Sequence, residues 1–269
     1  HEALWWLGPS GFNKFLSIKE DKNTNGSKIF SYSGFCFMKQ NGDYLMNLCA
    51  KGGMDGYGAH GHNDVLSFEI FTNGRSVLVD PGTYVYTAYP DWRNTFRSTA
   101  YHNTIRIDRV EINKLDPKRL FSLDEKAHPE IEKWVCKKDF DFIVGRHSGY
   151  LTLNGRVHHR RMILFDKIYR YWKIIDHVSG KGQHYIESYF HFSPGLIPYK
   201  NDKDQSFSVR DETGFRFAVF LKNTTNWDID FTKGWISRSY GIKKKAWIVQ
   251  CSIMTKLPFK TSFILRQLT

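Results

Sequence analysis

Between Lys28 and the C-terminus, apolar residues recur in short runs broken by turn residues, and almost nowhere at helical spacing. The runs include Phe35–Met38, Tyr44–Ala50, Val65–Thr72, Arg75–Asp80, Phe140–His147, Arg156–Phe165, Tyr185–Phe192 and Phe259–Leu265. Between runs stand Gln40-Asn41-Gly42, Asn73-Gly74, Gly180-Lys181-Gly182, Asn201–Gln205 and Asp211–Gly214. Asn-Gly supplies the positive φ angles of a two-residue hairpin, so Val65–Thr72 should fold directly back on Arg75–Asp80. More than a dozen such strands predict an all-β protein, a large antiparallel two-sheet β-sandwich. Ile163–Phe165 and Tyr171–Ile175 are nearly continuously apolar, as expected of strands covered on both faces. No internal repeat divides the chain, and residues 28–269 read as one unit. Residues 1–27 read differently: a short helix at Glu2–Leu7, a break at Pro9-Ser10-Gly11 and a polar loop at Glu20–Ser27 suggest a linker or helical remnant.

Composition narrows the function classes. With 41% hydrophobic and 16% aromatic residues, the 269-residue chain can bury a substantial core and is not a disordered segment. No apolar run approaches the roughly 20 residues of a membrane-spanning helix. The first residues lack a signal-peptide pattern and an initiator Met, so the chain reads as part of a longer protein and export stays open. A net charge of +12 favours polyanionic partners. No helix-turn-helix, zinc-finger or RNP motif accompanies it, so nucleic acid is not expected and an acidic polysaccharide is the sharper reading. Cys36, Cys49, Cys136 and Cys251 show no metal-type spacing; Cys36, Cys136 and Cys251 lie in apolar runs and should be buried.

Chemistry concentrates between Gly58 and Asp108. His60 and His62 form a His-x-His pair in a loop broken by Gly58 and Gly61. Folding the next hairpin at Asn73-Gly74 returns Asp80 to the end where that loop lies, and Pro81-Gly82 stops the strand there. His102 precedes a further β-like run, Asn103–Asp108. Imidazoles and a carboxylate at one sheet edge make a zinc-type donor set; a hydrogen-bonded polar cluster is the plainer alternative. His147, His177, His184 and His191 stand singly and read as structural, and adjacent His158 and His159 fall on opposite faces of a strand and cannot act together.

The string HGHNDVLSFEIFTNGRSVLVDPGTYVYT, followed by WRNTFRSTAYHNTI, resembles the signature of the heparinase II/III-like polysaccharide lyases, in their C-terminal β-domain. The likeness continues more loosely through HHRRMILFDKIYRYWKIIDHV, YFHFSPG and WISRSYGIKKKAWIV. It implies zinc held by His62, Asp80 and His102, with His60 at the substrate cleft. It also implies β-elimination on a uronic-acid-containing polysaccharide, in a bacterial protein whose full-length form is periplasmic or secreted. Heparin-like glycosaminoglycan, alginate-like and exopolysaccharide chains all fit. The loop between Pro81 and His102 offers Tyr84 and Tyr86 to stack on sugars, and Arg93 and Arg97 to grip a carboxylate. In that family an N-terminal helical toroid supplies the central catalytic Asn or His and a Tyr, and residues 1–15 hold at most a trace of it. This chain alone should therefore bind metal but have little lyase activity. Two other readings stay open: a carbohydrate-binding sandwich without chemistry, and an independent zinc hydrolase or cupin-like enzyme using His62, Asp80 and His102 alone. The second lacks a Glu at His-x-His-x-Glu spacing, Glu69 being the nearest.

Overall fold

The computed structural model describes residues 2–19, 26–53, 57–201, 204–222 and 226–268; parts of the expected loops at 20–27, 51–61 and 201–205 lie outside them. The all-β antiparallel architecture is as the sequence predicts. Its strands form three hydrogen-bonded sheets where two were expected. The first sheet runs in chain order through β1 (Lys28–Phe30), β2 (Phe35–Gln40), β3 (Asp43–Leu48), β4 (Phe68–Thr72) and β5 (Arg75–Leu78). An eight-stranded sheet is built from β7 (Glu130–Cys136), β8 (Phe140–His147), β9 (His158–Asp166), β10 (Tyr171–Ser179), β12 (Ile197–Asn201), β13 (Ser206–Arg210), β14 (Arg216–Leu221) and β17 (Phe259–Leu268). The third contains β6 (Ile105–Ile107), β11 (Gln183–His191), β15 (Asp228–Ser239) and β16 (Ile242–Lys256).

The small sheets share one layer. A bridge between Leu78 and Phe192 joins the end of β5 to the end of β11. The Val79 N–H donates to the His191 carbonyl at 3.0 Å and the Ser193 N–H to the Val77 carbonyl at 2.9 Å. Both sheets pack on the eight-stranded one. Phe190 meets Phe207 and Phe263 with centroids 5.6 and 5.2 Å apart, and the Arg161 guanidinium lies 5.4 Å from the Phe68 ring. The result is a two-layer sandwich in which one layer is split, and one buried cluster draws on all three sheets.

Ahead of the strands, α1 (Glu2–Ser17) is two helical segments joined at Gly8, whose φ of 65° precedes Pro9 and interrupts the helix. Trp5 and Trp6 on it are 90% and 87% exposed. Cys36 and Cys251 are buried as expected, whereas Cys136, at the end of the edge strand β7, is exposed.

A polar chain lies inside this core. Arg161 on β9 stands opposite Asp176 on β10 and binds it through Nε and Nη2, at 2.7 and 3.0 Å. His159 Nε2 is 2.7 Å from Asp176 Oδ1, and His159 Nδ1 is 3.1 Å from His147 Nε2 on β8. All four residues are buried. His147 and His159, which read as unrelated in the sequence, face each other in the β8–β9 register. Burial pushes the Asp176 carboxyl up, but Arg161 and His159 more than offset it and hold it down at about 2. A carboxyl depressed by folding contributes stability in full above its unfolded value near ~4, and loses it as pH falls toward the folded value. Urea unfolding at a series of pH values should therefore show stability falling between about pH 4 and 2, with a shallower slope in Asp176→Asn. An unchanged slope would remove Asp176 as its source.

Candidate metal and substrate site

Two segments meet at the end of the first sheet. One is the glycine-rich loop that ends in His60, His62 and Asp64. Gly58 makes its tight turn at φ +66°, where a Cβ would come within 2.2 Å of Leu123 Cβ. Asn63 anchors the loop inward: its Nδ2 donates to Glu111 Oε2 and the Asn113 carbonyl at 2.7 and 2.8 Å, and its Oδ1 accepts the Asn113 N–H at 3.0 Å. The second segment follows a 3-10 turn at Thr99–Tyr101 and carries His102 and Asn103, both wholly buried. Asn103 Nδ2 donates to the carbonyls of Phe68 and Val79, at 2.8 and 3.1 Å, and its Oδ1 accepts the His191 N–H at 2.7 Å.

Arg161 ties the segments together. Its Nη1 donates to the carbonyls of Leu66 and Asn103, each at 2.8 Å. Leu66 takes the strained φ of +61° that aims its carbonyl at this position.

The donor atoms of His62, Asp64 and His102 all lie within 4.8 Å of one another. The rings of His62 and His102 are 5.2 Å apart. Asp80 approaches from the other side: its Oδ2 is 2.6 Å from His102 Nδ1, and its Oδ1 accepts the Gly82 N–H at 2.8 Å. Gly82 has φ +81°, and a Cβ there would sit 2.0 Å from the Ser237 carbonyl oxygen, which accounts for Gly after Asp80-Pro81. Burial pushes His62 down to about 3, aided by nearby His102. For His102 burial acts downward too, but Asp80 outweighs it and the imidazole is raised. Asp80 itself is held at about 2, burial being outweighed by His102, while burial lifts Asp64 to about 6. Two imidazoles and carboxylates are donors that zinc accepts, and His102 Nε2 is buried with no hydrogen-bond partner. The residues fit the ion on that ground. Arg93 competes for one nitrogen: its Nη1 donates to His62 Nε2 at 2.7 Å, and an ion on that atom would displace it.

The expected substrate residues divide. His60 is exposed, edge-on to Tyr86 and to Phe121 with centroids 5.4 Å away in each case. Tyr86 also meets Tyr240 at 5.5 Å, and the Arg93 guanidinium lies 5.6 Å from the Tyr86 ring. Arg93 and Arg97 sit on α2 (Pro90–Phe96) and at its C-terminal cap, and both are fully buried. Arg93 Nε and Nη2 lack partners. Arg97 donates to Asn94 and to the carbonyls of Asp116, Leu120 and Ser122, so it holds the 116–122 loop instead of facing the cleft. Tyr84 packs on Trp92 and Phe96, at 5.8 and 5.5 Å. Asp64, Asn103 and Arg161 were missed from the sequence; only Asp64 left a signal, lying two residues beyond His62.

Comparison with known proteins agrees with the fold. The family described as Heparinase II/III-like, C-terminal, matches residues 22–262. A heparin-sulfate lyase of Bacteroides stercoris is 23% identical over 218 residues, covering 80% of this chain and 30% of that lyase. Its counterpart from Pedobacter heparinus is 25% identical over 158 residues, 58% of this chain and 21% of that lyase. A solved heparan sulfate lyase from Pedobacter heparinus superposes with a TM-score of 0.77 at 19% identity, over 95% of this chain and 38% of its own. A solved heparinase III gives 0.74 at 20%, over 94% and 38%. The chain thus spans between 21% and 38% of these relatives' length. It belongs to the heparinase II/III-like family, as that family's C-terminal β-domain.

Proposed function

We propose that the whole protein cleaves a uronate-containing acidic polysaccharide by β-elimination, and that this domain contributes a cleft-facing imidazole, His60, on a loop ordered by a zinc ion. The observation that carries this reading is the contrast across His60-Gly61-His62. One imidazole is exposed against Tyr86 and Phe121, and the other turns inward onto His102. Relatives named as heparin-sulfate lyases and a net charge of +12 support an acidic chain as substrate.

In the reaction the uronate carboxylate must be neutralised, the C5 proton removed and O4 protonated as the C4–O4 bond breaks, leaving a C4=C5 double bond. His60 would hold or move a proton at the sugar. Tyr86 gives that imidazole a wall and offers a stacking face, and Arg93 lies behind Tyr86 as a buried positive charge. The ion, held by His62 and His102 with a carboxylate, Asp80 on the family resemblance, would supply positive charge that orders the loop. The other catalytic groups would come from the protein's own N-terminal helical domain. The chain alone should bind metal and turn over little polysaccharide.

Metal content by mass spectrometry tests the reading. About one zinc per wild-type chain is expected, lost in both His62→Ala and Asp80→Ala. A folded wild type without metal would make the cluster a hydrogen-bonded one and bring forward a carbohydrate-binding module without chemistry.

A further inference from the structure

Resting on the acidic-polysaccharide reading above, we propose that the cavity beside the β15–β16 turn is a second anion subsite, taking a carboxylate or sulfate group of the chain away from the bond that is cut. The cavity holds about 430 Å³, within the size range of small-molecule sites. Pro194, Ile236 and Ile242 give it an apolar part, and Ser193, Arg238 and Lys244 a polar one. A bulge between Ile236 and Ser239 breaks the alternation of β15, so the neighbours Arg238 and Ser239 both line the cavity. The next residue, Tyr240, meets Tyr86 at 5.5 Å, and Tyr86 meets His60 at 5.4 Å. An acidic chain lying on His60 and Tyr86 can therefore run past Tyr240 into the cavity.

The charge facing this cavity is unpaired. Arg238 and Lys244 are exposed, and among the described residues neither belongs to an ion pair. Arg238 Nη2 reaches Ser193 Oγ only at 3.5 Å. It also draws the Glu69 carboxyl down against the upward push of burial, yet the two form no ion pair. The lysines flanking Lys244 are engaged elsewhere: Lys243 lies 3.0 Å from the Trp92 ring and Lys245 5.8 Å from that of Trp235. Lys244 instead pairs across the strands with Ile236, on the cavity side. An adjoining cavity of about 420 Å³ shares Ser193, Pro194 and Arg238. Its own cation, Arg75, is bound to Asp211 and lies 4.7 Å from the Phe215 ring. The free positive charge thus sits at the Arg238–Lys244 end, where an anion would gain charge-assisted hydrogen bonds beside an apolar wall. That combination suits a sugar ring bearing an acidic group.

Calorimetric titration of this chain with a heparin octasaccharide tests the subsite. The double variant Arg238→Gln/Lys244→Gln should weaken binding by about tenfold, the scale of one charge-assisted hydrogen bond, and flatten its dependence on salt. Lys245→Gln, which removes a charge from the opposite face of β16, should bind as the wild type does. Thermal unfolding midpoints equal to the wild type's show that the variants fold. The fully desulfated octasaccharide identifies the group bound: a loss that persists on it assigns a uronate carboxylate, and a loss confined to the sulfated chain assigns sulfate. Wild-type affinity in the double variant, or an equal loss in Lys245→Gln, would overturn the subsite alone. A wild type that binds neither octasaccharide would overturn it together with the acidic-polysaccharide reading.

Discussion

Arg161→Met should destabilise the chain by about 3–5 kcal/mol, the range for breaking a buried ion pair from one side. Asp176 would remain buried with only His159 as partner, and the carbonyls of Leu66 and Asn103 would each lose their Arg161 donor. Urea unfolding gives the loss directly. The double variant Arg161→Met/Asp176→Leu refines the expectation. Exchanging a whole buried pair for apolar residues is often neutral, but here the two carbonyls stay unpaired, at about 1–3 kcal/mol each. Recovery should thus be partial, and zinc affinity should stay low because the segments bearing His62 and His102 are no longer held in register. Full recovery of both would show that the guanidinium serves the core alone.

The second large effect is on turnover. If the full-length protein has the proposed lyase activity, His60→Ala in it should lower kcat by about 10²–10⁴-fold, the range for losing a positioned proton-transfer group, with metal content unchanged. The ultraviolet absorbance of the new C4=C5 bond, conjugated to the carboxylate, follows the reaction. His62→Ala should lose activity together with its metal, so the pair separates a group acting on the sugar from one holding the loop. A full-activity His60→Ala enzyme would place the proton-transfer groups elsewhere.

Much of this fold is legible in local sequence. Asn73 and Gly74 take φ values of 51° and 74°, and Thr72 pairs with Arg75 as the two-residue turn requires. The strand expected from Val65 begins only at Phe68, since Val65 and Leu66 form a turn whose carbonyls Thr104 and Arg161 bind. Strands β12 and β15 escaped notice because each is an edge strand with few buried residues, which blurs the two-residue alternation. The site was half visible. His62, Asp80 and His102 do meet, and Arg93 and Arg97 do share a short helical segment. What Arg97 does was hidden, because the carbonyls it binds lie 19 to 25 residues along the chain. The His147–His159–Asp176 chain was hidden likewise. Sheet register aligns it, and no local pattern in three separate strands encodes that register.

The two exposed tryptophans of α1 decide what intrinsic fluorescence can report. Trp5 and Trp6 are two of eight in the chain and stand almost fully in water, so they add long-wavelength emission insensitive to events in the sandwich. Trp92 and Trp235 meet edge-on with centroids 6.3 Å apart, and the Lys243 ammonium lies 3.0 and 4.8 Å from their rings. An oligosaccharide that drew that ammonium away would change their quenching against a bright, constant background. Exchanging Trp5 and Trp6 for phenylalanine would clear the background and let this pair report any ligand that moves the Lys243 ammonium.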